Sequence, residues 1–436
     1  MLESNLTTRT LTEWLDYLEQ LHPITIDMGL DRVDQVKKRL GLVPIFPIIT
    51  VGGTNGKGST CAMIESILSC AGYRVGCYTS PHLLRYNERV RISRYEASDE
   101  DLCKAFEEIE LARVGIGISL TYFEFGTLAA MQLFSQSGVD VAILEVGLGG
   151  RLDAVNTFEP DCSVLTSIDL DHMDYLGDTR EEIGFEKAGI FRSGKTAICS
   201  EAEMPASVLR QADLIGAHLM HIDSDFGYSV QDNQWSYWGP GGNRHALPHP
   251  SLRGSYQLRN ASTCLAALDA VRDRLPVNMG DIRQGLLQVE LPGRFQVLPG
   301  LPVTILDVAH NPAAARTLST SLGSMGQYSK TYAVFAMLKD KDIPGVARAL
   351  KSVVDVWLVA GIDAPRGASA DDLRQVLESE GVVENGSIVN DFPGIGSAYA
   401  YACERASGND RICVFGSFYT VSGVLRYRDA VKYRQQ

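Results

Sequence analysis

The sequence predicts an α/β protein in which a mostly parallel sheet is flanked by helices. An apolar, β-branched run at 48–51 breaks into a glycine-rich turn, and an amphipathic helix at 57–71 and a strand at 74–79 follow it. This order is a βαβ unit, which implies parallel strands. Further buried-strand patterns alternate with helical patterns and lie at 140–145, 162–168, 303–307, 332–336, 356–360 and 412–415. Such alternation is typical of α/β domains.

Two domains are predicted, because the pattern changes near the segment Leu291-Pro-Gly-Arg-Phe295. We expect residues 1–295 to form the first domain and residues 300–436 to form a smaller, Rossmann-like α/β domain. Residues 196–255 contain short strand patterns around a Pro-Gly-Gly turn and predict a small antiparallel appendage. A chain of 436 residues, 45% of them hydrophobic, can build cores of this size.

Charge and cysteine content exclude several classes of function. A formal net charge of -13 argues against nucleic acid or an anionic membrane as partner, so an anionic substrate needs a local positive site. The nine cysteines form no C-x-x-C pair, and this odd number indicates the reduced thiols of a cytoplasmic protein. The polar segment Met1–Thr10 has no apolar signal core, and no run is long enough to span a membrane.

The glycine-rich turn after the first strand is predicted to bind the phosphates of a nucleoside triphosphate. Gly53, Gly56 and Gly58 allow backbone N–H groups to point into one concavity. The N-terminus of the next helix and Lys57 supply positive charge. The turn is a short G-x-x-G-K form of the P-loop, and Gly58 stands where a magnesium-binding hydroxyl is usual. That hydroxyl is either displaced to Ser59 or supplied from elsewhere. A plain tight turn is the alternative, but strand, turn and helix together favour phosphate binding.

Polar side chains stand at the ends of three predicted strands: Ser80, Glu145 and His172. Because the carboxyl ends of parallel strands meet at one edge of a sheet, we expect them to converge beside Lys57. Taken singly, Glu145 is explained as a surface carboxylate and His172 as a hydrogen-bonded core histidine. Together, beside a phosphate loop, they predict ligands of a magnesium ion bound to nucleotide phosphates.

Seven segments, spread over nearly the whole chain, together resemble a known family. They are Gly53-Thr-Asn-Gly-Lys-Gly-Ser59, Thr79-Ser-Pro-His-Leu83, Leu144-Glu-Val-Gly-Leu-Gly-Gly-Arg-Leu-Asp-Ala154, Leu170-Asp-His172, Glu186-Lys-Ala-Gly-Ile-Phe191, Leu291-Pro-Gly-Arg-Phe295 and Asp307-Val-Ala-His-Asn-Pro312. They resemble the folylpolyglutamate synthase/dihydrofolate synthase family of the Mur ligase superfamily. The resemblance is weakest at 200–250 and near the C-terminus.

The resemblance implies an ATP-dependent ligase of folate biosynthesis with dihydrofolate synthase and folylpolyglutamate synthase activities. A carboxyl group of dihydropteroate or of a reduced folate would take the γ-phosphoryl group of ATP, and the amine of L-glutamate would then displace phosphate. It implies a monomer with small-molecule substrates, with ATP and two Mg²⁺ ions as cofactors. Polar strand ends on both predicted domains fit a reaction in which one domain holds ATP and the other helps to present the amine.

The resemblance also implies roles for individual residues in ATP and metal binding. The implied ATP contacts are Gly56, Lys57, Gly58, Ser59, Asn260, Arg294 and Asp307. Ser80 and Glu145 would hold the first magnesium ion and His172 the second, so that Ser80 supplies the hydroxyl that Gly58 lacks. The implied catalytic residues are Lys57, His172 and Lys187.

Three stretches are implied to form the pterin pocket, and two residues are implied to bind glutamate. The pterin stretches are Met28, Gly29, Leu30 and Asp31, then Thr121, Tyr122, Phe123 and Glu124, then Leu152, Asp153 and Ala154. In these stretches Phe123 can pack on an aromatic ring, and carboxylates can pair with pterin nitrogens. The implied glutamate contacts are His310 and Ser417.

Lys187 can be interpreted in two ways. The ordinary one is a solvated surface lysine, since lysines are rarely buried without a partner. The resemblance implies instead a carbamylated lysine, N6-carboxylysine. Addition of CO₂ to the neutral amine replaces a cation that repels magnesium with a carboxylate that attracts it, and desolvation together with nearby metal charge favours the neutral amine.

Two other functions stay open. A ligase that adds an amino acid to a cell-wall precursor would use the same chemistry on a uridine nucleotide, but the stretch Thr121–Phe125 argues against it. A nucleotide-switched binding protein without turnover is the second alternative. The polar strand ends of the second domain, at Asp307 and at Gly416-Ser417, favour a reaction.

Overall fold

The structure is a computed structural model that describes residues 9–231, 234–383 and 386–435. Most of the polar segment Met1–Thr10 lies outside these ranges. The chain divides into two compact units. Unit 1 extends to Ser251 and includes Leu258–Val289, and unit 2 comprises Leu252–Gln257 and the chain from Glu290 onward. Among the described residues, no helix is both long and apolar enough to cross a bilayer.

Helices and strands alternate along the first 290 residues. The helices are α1 (Leu11–Leu21), α2 (Asp31–Leu40), α3 (Lys57–Cys70), α4 (Asp99–Val114), α5 (Tyr122–Ser137), α6 (Met173–Leu176), α7 (Arg180–Ala188), α8 (Ala206–Ile215), α9 (Tyr256–Ala270) and α10 (Met279–Gln288). The strands are β1 (Ile48–Gly52), β2 (Val75–Tyr78), β3 (Val90–Ile92), β4 (Tyr95–Glu96), β5 (Val141–Glu145), β6 (Cys162–Leu165), β7 (Thr196–Cys199), β8 (His218–His221), β9 (Gly227–Gln231), β10 (Gln234–Trp238) and β11 (Arg244–Pro248).

The large sheet of unit 1 has the strand order β4-β3-β2-β5-β1-β6-β7-β8. Strand β1 lies between β5 and β6 and runs parallel to both, and β2, β7 and β8 continue the parallel arrangement. Every residue of β1, β2, β5 and β6 is buried, as expected for parallel strands covered on both faces. The predicted α/β class is confirmed, and the carboxyl ends of these four strands lie side by side.

Helix α3, which begins at the P-loop, is buried on every side over Ser59–Leu68. The predicted amphipathic character is therefore wrong. The reason is that α10 packs on the side opposite the sheet: a Cβ atom on Gly285 would lie 2.6 Å from Cα of Ile67. Ser66 Oγ also donates to the Gly285 carbonyl at 2.8 Å. This enclosure fixes the helix whose first turn carries Lys57.

Only part of the predicted appendage at 196–255 is antiparallel. Strands β7 and β8 join the large sheet as parallel strands, and α8 connects them. The separate antiparallel sheet has the order β11-β10-β9 and lies within Gly227–Pro248. The sequence did not separate the two parts because four-residue strands such as β7 give too short a pattern.

A buried ion pair connects this small sheet to α9. Arg244 of β11 donates to both carboxylate oxygens of Asp269 on α9, at 2.5 and 3.2 Å. Tyr237 Oη and the Gly241 N–H donate to Asp269 Oδ2 at 2.8 and 3.1 Å. Since α9 also carries Asn260, the network holds a helix that contributes to the candidate site.

Asp269→Ala is expected to lower the free energy of unfolding by about 3–5 kcal/mol, because it leaves the half-buried Arg244 without its counter-ion. Urea denaturation monitored by circular dichroism measures this change. Asp273→Ala is the matched control, since the Asp273 side chain is 99% exposed and 3.9 Å from Arg272. Equal stability of the two variants would contradict the anchoring role.

Unit 2 contains a second, mostly parallel sheet with the order β12-β13-β17-β14-β15-β16. Its strands are β12 (Gln296–Leu298), β13 (Val303–Leu306), β14 (Thr331–Phe335), β15 (Val356–Ala360), β16 (Ile388–Phe392) and β17 (Arg411–Phe415). Its helices are α11 (Pro312–Ser324), α12 (Ile343–Leu350), α13 (Ala370–Ser379), α14 (Ile395–Arg405) and α15 (Phe418–Gln435). Strand β12 pairs antiparallel with β13. The edge strands β12 and β16 were not predicted.

Candidate active site

The P-loop connects β1 to α3 and needs glycine at two positions for steric reasons. Gly53 has φ +139°, and a Cβ atom there would lie 2.0 Å from Thr166 Oγ1. Gly56 has φ +91°, and its Cβ would lie 2.8 Å from Asn260 Oδ1. The loop is thus pressed between the end of β6 and helix α9, and the structure brings the predicted ATP contact Asn260 beside Gly56.

Two hydroxyl side chains after β6 hold the loop in shape. Thr166 Oγ1 and Ser167 Oγ both donate to the Asn55 carbonyl, at 2.7 and 3.0 Å. The Thr54 N–H donates to the Ser167 carbonyl at 2.8 Å. These contacts turn the Asn55 carbonyl toward the end of β6. The first turn of α3 follows directly, and backbone N–H groups at a helix N-terminus suit an anion.

Lys57 is the first residue of α3, and its ammonium group is folded back onto the loop. Nζ donates to the Gly53 carbonyl at 2.9 Å and to the Thr54 carbonyl at 3.3 Å. Gly58 and Ser59 follow it in the first turn, and Ser59 is buried. The cation therefore lies at the mouth of the P-loop, where a nucleotide phosphate could replace the two carbonyls.

Ser80 and Glu145 are brought together by neighbouring strands. Glu145 is the last residue of β5, and Ser80 lies two residues beyond β2, its neighbour in the sheet. The Ser80 N–H donates to Glu145 Oε2 at 3.0 Å, and Glu145 is only 4% exposed. A serine hydroxyl and a buried carboxylate thus lie on the same edge as the P-loop.

His172 does not lie at the end of a strand, where the sequence predicted it. Strand β6 ends at Leu165 rather than at 168, and His172 lies seven residues further on, as the N-cap of α6 with φ +54°. Its Nε2 atom is 3.9 Å from Asp171 Oδ1. A left-handed backbone conformation at a histidine is uncommon, and it is a feature that tertiary structure must hold in place.

The donors at this edge suit a hard divalent cation. A hydroxyl, a carboxylate and an imidazole are acceptable ligands for magnesium, which usually keeps water and phosphate oxygens as its remaining ligands. The described ranges contain no group of three or more His, Cys, Asp or Glu side chains that could hold a metal by themselves. The hydroxyl, carboxylate and imidazole fit a magnesium ion that also takes phosphate oxygens as ligands.

Lys187 lies in α7 and is 4% exposed. Its pKa is lowered to about 7, first by burial and then by the charge of Lys57, although Asp171 and Asp153 oppose the change. The interpretation as a solvated surface lysine does not fit this burial. The charges of Lys57, Asp153 and Asp171 all act on Lys187, which indicates that these residues lie near it.

The glycine-rich loop after β5 packs directly against the Lys187 segment. A Cβ atom on Gly150 would lie 2.8 Å from the Lys187 carbonyl oxygen. The Arg151 N–H donates to the Glu186 carbonyl at 2.8 Å, and the two side chains form an ion pair of 2.9 Å. The motifs at 144–154 and 186–191, which are distant in sequence, thus form one structural unit.

Asp153 stabilises this loop through hydrogen bonds from backbone N–H groups. Its carboxylate accepts from the Leu148 N–H at 2.8 Å and the Val155 N–H at 3.0 Å, and it caps the short 3-10 helix Ala154–Thr157. Burial raises its pKa to about 7, although the backbone N–H groups and Lys57 lower it. The predicted substrate residues Leu152, Asp153 and Ala154 therefore lie at a tight turn beside Lys187.

Two other predicted substrate stretches border the same loop. A Cβ atom on Gly147 would lie 2.6 Å from Phe123 Cζ, and one on Gly149 would lie 3.5 Å from Met28 Cε. The ring of Phe123 also lies 5.8 Å from that of Tyr78 at the end of β2. Gly29 and Leu30 precede α2, and Asp31 is its exposed first residue. The structure therefore joins Met28, Phe123 and the 147–154 loop.

Thr121 and Glu124 form the N-terminal cap of α5. Thr121 Oγ1 accepts from the Glu124 N–H at 3.2 Å, and Glu124 Oε2 accepts from the Thr121 N–H at 2.7 Å. Glu124 Oε1 is 3.1 Å from Arg32 Nη2, an ion-pair distance. The geometry is not that of a hydrogen bond, however, and this buried oxygen has no hydrogen-bond donor among the described residues.

The four predicted residues of unit 2 lie around the end of β13 and the start of α15. Asp307 accepts from the Phe295 and Ala309 N–H groups, each at 2.8 Å, and burial raises its pKa although Arg294 and His310 lower it. Arg294 lies 4.9 Å over the ring of Phe418, and the His310 ring lies 6.4 Å from the same ring.

Ser417 already has a structural role. Its buried Oγ accepts from the Thr420 N–H at 3.0 Å and lies 2.6 Å from the Thr420 hydroxyl. Because that hydroxyl donates to the Ala336 carbonyl at 2.7 Å, the Ser417 hydroxyl is the donor between the two side chains. It caps the first turn of α15.

Comparison with known proteins decides the family. Residues 51–268 match the model of the Mur ligase middle domain, and residues 293–418 match that of the Mur ligase glutamate ligase domain. The chain is 48% identical over 421 residues to the dihydrofolate synthase/folylpolyglutamate synthase of Escherichia coli K12, covering 96% of each chain. The chain belongs to this family. The Haemophilus influenzae member is 42% identical, with 95% of this chain and 97% of the relative covered.

Solved structures of the family agree over nearly the full length. Escherichia coli FolC in complex with DHPP and ADP matches with a TM-score of 0.92 and 46% identity, covering 97% of this chain and 99% of that one. A family member with Mn, AMPPNP and L-glutamate bound matches with a TM-score of 0.89, 46% identity and coverage of 97% and 98%. The family is thus established for sequence and fold alike.

A cleft of about 590 Å³ lies in unit 1, between α6, α7 and α8. Glu181, Glu182 and Glu186 line it beside Leu176 and Phe185. Arg210 also lines it and pairs with Glu181 at 3.3 Å, so the lining carries both signs of charge. None of the predicted ATP-binding residues belongs to this lining.

Several residues of the site were missed by the sequence reasoning. Thr166 and Ser167, which shape the P-loop, lie one residue before the Asp-Leu-Asp-His segment and could have been found as hydroxyl residues at a strand end. The Arg151–Glu186 pair had no comparable signal, because its members are 35 residues apart.

Proposed function

We propose that the protein joins L-glutamate to the carboxyl group of dihydropteroate and of reduced folates, using ATP and an acyl phosphate intermediate. The observation that carries this proposal is the arrangement at one sheet edge. There, a P-loop with Lys57, the Ser80–Glu145 pair and the buried Lys187 lie beside a loop bordered by Met28 and Phe123. Family members of known structure have been solved with ADP, with DHPP and with L-glutamate, which supports the same substrates here.

The P-loop residues Gly56, Lys57, Gly58 and Ser59 are proposed to bind the nucleotide phosphates, with Asn260 beside them. Lys57 would exchange its two carbonyl partners for phosphate oxygens, so its charge is used where negative charge develops. For unit 2, contacts of Arg294 and Asp307 with ATP and of His310 with glutamate stay predictions. A glutamate contact of Ser417 would have to share the hydroxyl that caps α15.

Two magnesium ions are proposed, the first held by Ser80 and Glu145 and the second by His172 with a carbamylated Lys187. Bound magnesium would neutralise phosphate charge and polarise the phosphoryl group. The burial and lowered pKa of Lys187 favour the neutral amine that reacts with CO₂, and the adduct places an anion where an ammonium group would oppose a cation.

The reaction balances in two steps. A carboxylate oxygen of the folate substrate bonds to the γ-phosphorus of ATP, and the bond from that phosphorus to the bridging oxygen breaks to release ADP. The neutral amine of L-glutamate then bonds to the acyl carbon, phosphate leaves with the acyl oxygen, and the amine loses one proton. Gly147 and Gly150 allow Phe123 and the Lys187 segment to pack closely against the loop at 147–150, which brings both beside the proposed substrate.

The pterin is proposed to lie beside Phe123, with Glu124 facing its nitrogens. The ring face of Phe123 suits stacking on a bicyclic aromatic system. Glu124 Oε1 supports this placement, because no described residue donates a hydrogen bond to this buried carboxylate oxygen, and it can accept one from a ring N–H or amino group.

We also propose a cytoplasmic monomer that uses neither nucleic acid nor a membrane surface as partner. The net charge of -13 supports the exclusion of these two partners, since an acidic protein repels both polyanionic nucleic acid and anionic lipid. Sedimentation of the purified protein would test the monomeric state.

We expect the protein to ligate glutamate to both dihydropteroate and tetrahydrofolate, because the stretches at 28–31 and 121–124 border one loop. ADP release with ATP, magnesium and L-glutamate should require one of the two acceptors and rise well above the rate without it. If dihydropteroate gave no ADP release even at high concentration while tetrahydrofolate did, the protein would be a folylpolyglutamate synthase without dihydrofolate synthase activity. ADP release independent of acceptor or of glutamate would contradict the ligase itself, and a uridine nucleotide serves as the control acceptor.

A further inference from the structure

Arg89 is a half-buried cation without a carboxylate partner at the edge of the candidate site. It ends the 3-10 helix Tyr86–Arg89, and its Nε donates to His82 Nδ1 at 2.9 Å. Within the described ranges no aspartate or glutamate oxygen lies at ion-pair distance from it. By contrast, Arg91, two residues further on, is paired with Glu65 at 2.7 Å. A half-buried guanidinium without a counter-ion can accept one from a ligand.

Two aromatic rings hold this guanidinium. Its central carbon lies 5.4 Å from the ring centre of Tyr86 and 5.3 Å from that of Tyr122. The two rings are themselves 5.8 Å apart in an edge-on arrangement. Cation–π contact with the two rings limits the positions that the guanidinium can take and uses none of its N–H donors. Among the described residues, no hydrogen bond of the Arg89 Nη atoms is found.

The location connects Arg89 to both ends of the proposed substrate. Its carbonyl accepts from the Thr79 N–H at 2.9 Å, which places it beside the turn that carries Ser80. On the other side it faces Tyr122, next to Phe123 of the proposed pterin site. Arg89 therefore borders the path from the pterin to the reacting carboxylate.

We propose that Arg89 binds the α-carboxylate of the terminal glutamate of folate substrates and so separates the two acceptors. This inference rests on the proposed function. A folate presents its γ-carboxylate to ATP and carries the α-carboxylate only a few bonds away, whereas dihydropteroate has a single carboxylate, which reacts. Arg89 could therefore pair with the α-carboxylate of a folate. Dihydropteroate offers it no such partner, because its one carboxylate is the group that reacts.

The test compares both acceptors in the same variants. Arg89→Met is expected to raise KM for tetrahydrofolate about tenfold to a hundredfold, the range for a lost charge-assisted hydrogen bond at a partly exposed site. KM for dihydropteroate and kcat with it should change by less than about threefold. Arg89→Lys should restore part of the folate affinity. Arg85→Met is the matched control, because Arg85 belongs to the same segment but pairs with Glu96 on the surface.

A substrate analogue completes the test without relying on the variant alone. A tetrahydrofolate analogue in which γ-aminobutyrate replaces the glutamate keeps the reacting carboxylate and lacks the α-carboxylate. The unmodified enzyme should bind it about as weakly as Arg89→Met binds tetrahydrofolate, and Arg89→Met should show no further loss. Equal loss with both acceptors, or equal KM of the unmodified enzyme for tetrahydrofolate and the analogue, would overturn the inference. Failure of the unmodified enzyme on both acceptors would instead overturn the proposed function.

Discussion

Lys57→Ala is expected to lower the rate of ADP release with every acceptor by at least about a thousandfold, because a preorganised charge at the γ-phosphate is lost where it matters most, in the transition state. The fold should be unchanged, since within the described part of the chain the Lys57 ammonium donates only to the Gly53 and Thr54 carbonyls of its own loop. Steady-state ADP release measures the loss, and thermal unfolding checks the fold. Lys57→Arg, which keeps the charge but not the shape, should recover only a small part.

The control is Lys104→Ala, which removes an exposed lysine of α4 that pairs with Glu100 at 2.7 Å. It should leave activity within about twofold of the unmodified enzyme. A well-folded Lys57→Ala protein that ligates glutamate at the ordinary rate would exclude the P-loop from catalysis.

The loss in Lys57→Ala has a second component, because the charge of Lys57 helps to lower the pKa of Lys187. Without it, the Lys187 amine should be protonated to a greater extent and form less carbamate. Nucleotide binding, measured by calorimetry with ADP, separates the two effects. Weaker ADP binding reports the phosphate contact alone, whereas a reduced carbamate signal reports the electrostatic effect on Lys187.

The sequence predicted those parts of the fold that local patterns encode. Strand β1, the glycine-rich turn and α3 form a continuous segment, and the buried strands β5 and β15 fall close to or at their predicted bounds. Strand β16, Ile388–Phe392, was missed because its Asn-Asp pair interrupts the apolar run and its residues are only partly buried. Strand β12 has three residues, too few for any periodicity.

In the candidate site too, some features could be predicted from the sequence and others could not. Ser80 and Glu145 could be predicted to meet, because the ends of neighbouring parallel strands converge by topology. The cap formed by Thr121 and Glu124 fits the short-range capping-box pattern, yet the ion pair of Glu124 with Arg32 joins residues about ninety positions apart. Burial of Lys187 could not be read from its segment, because it depends on the loop that contains Gly150. Long-range packing, rather than local sequence, decides these side chains.

Lys187→Ala is expected to lower ligase activity by about a hundredfold or more, because the second metal site loses its proposed anionic ligand. The variant should fold, since alanine removes an amine whose burial opposes the charged state. Addition of short carboxylates such as acetate should restore part of the activity by replacing the carbamate. Lys195→Ala is the matched control, because Lys195 is exposed and pairs with Asp161 at 2.9 Å.

The carbamate itself can be observed with ¹³C-labelled bicarbonate. A carbamate resonance should appear in the unmodified enzyme and be absent from Lys187→Ala. Only the neutral amine attacks CO₂, and with a pKa of about 7 the neutral fraction is high at pH 8 and low at pH 6, so the signal should fall as the pH is lowered through 7. An ordinary lysine with a pKa near 10.4 would be almost fully protonated throughout this range. Full activity in CO₂-depleted buffer, with no carbamate signal and with metal bound, would refute the modification.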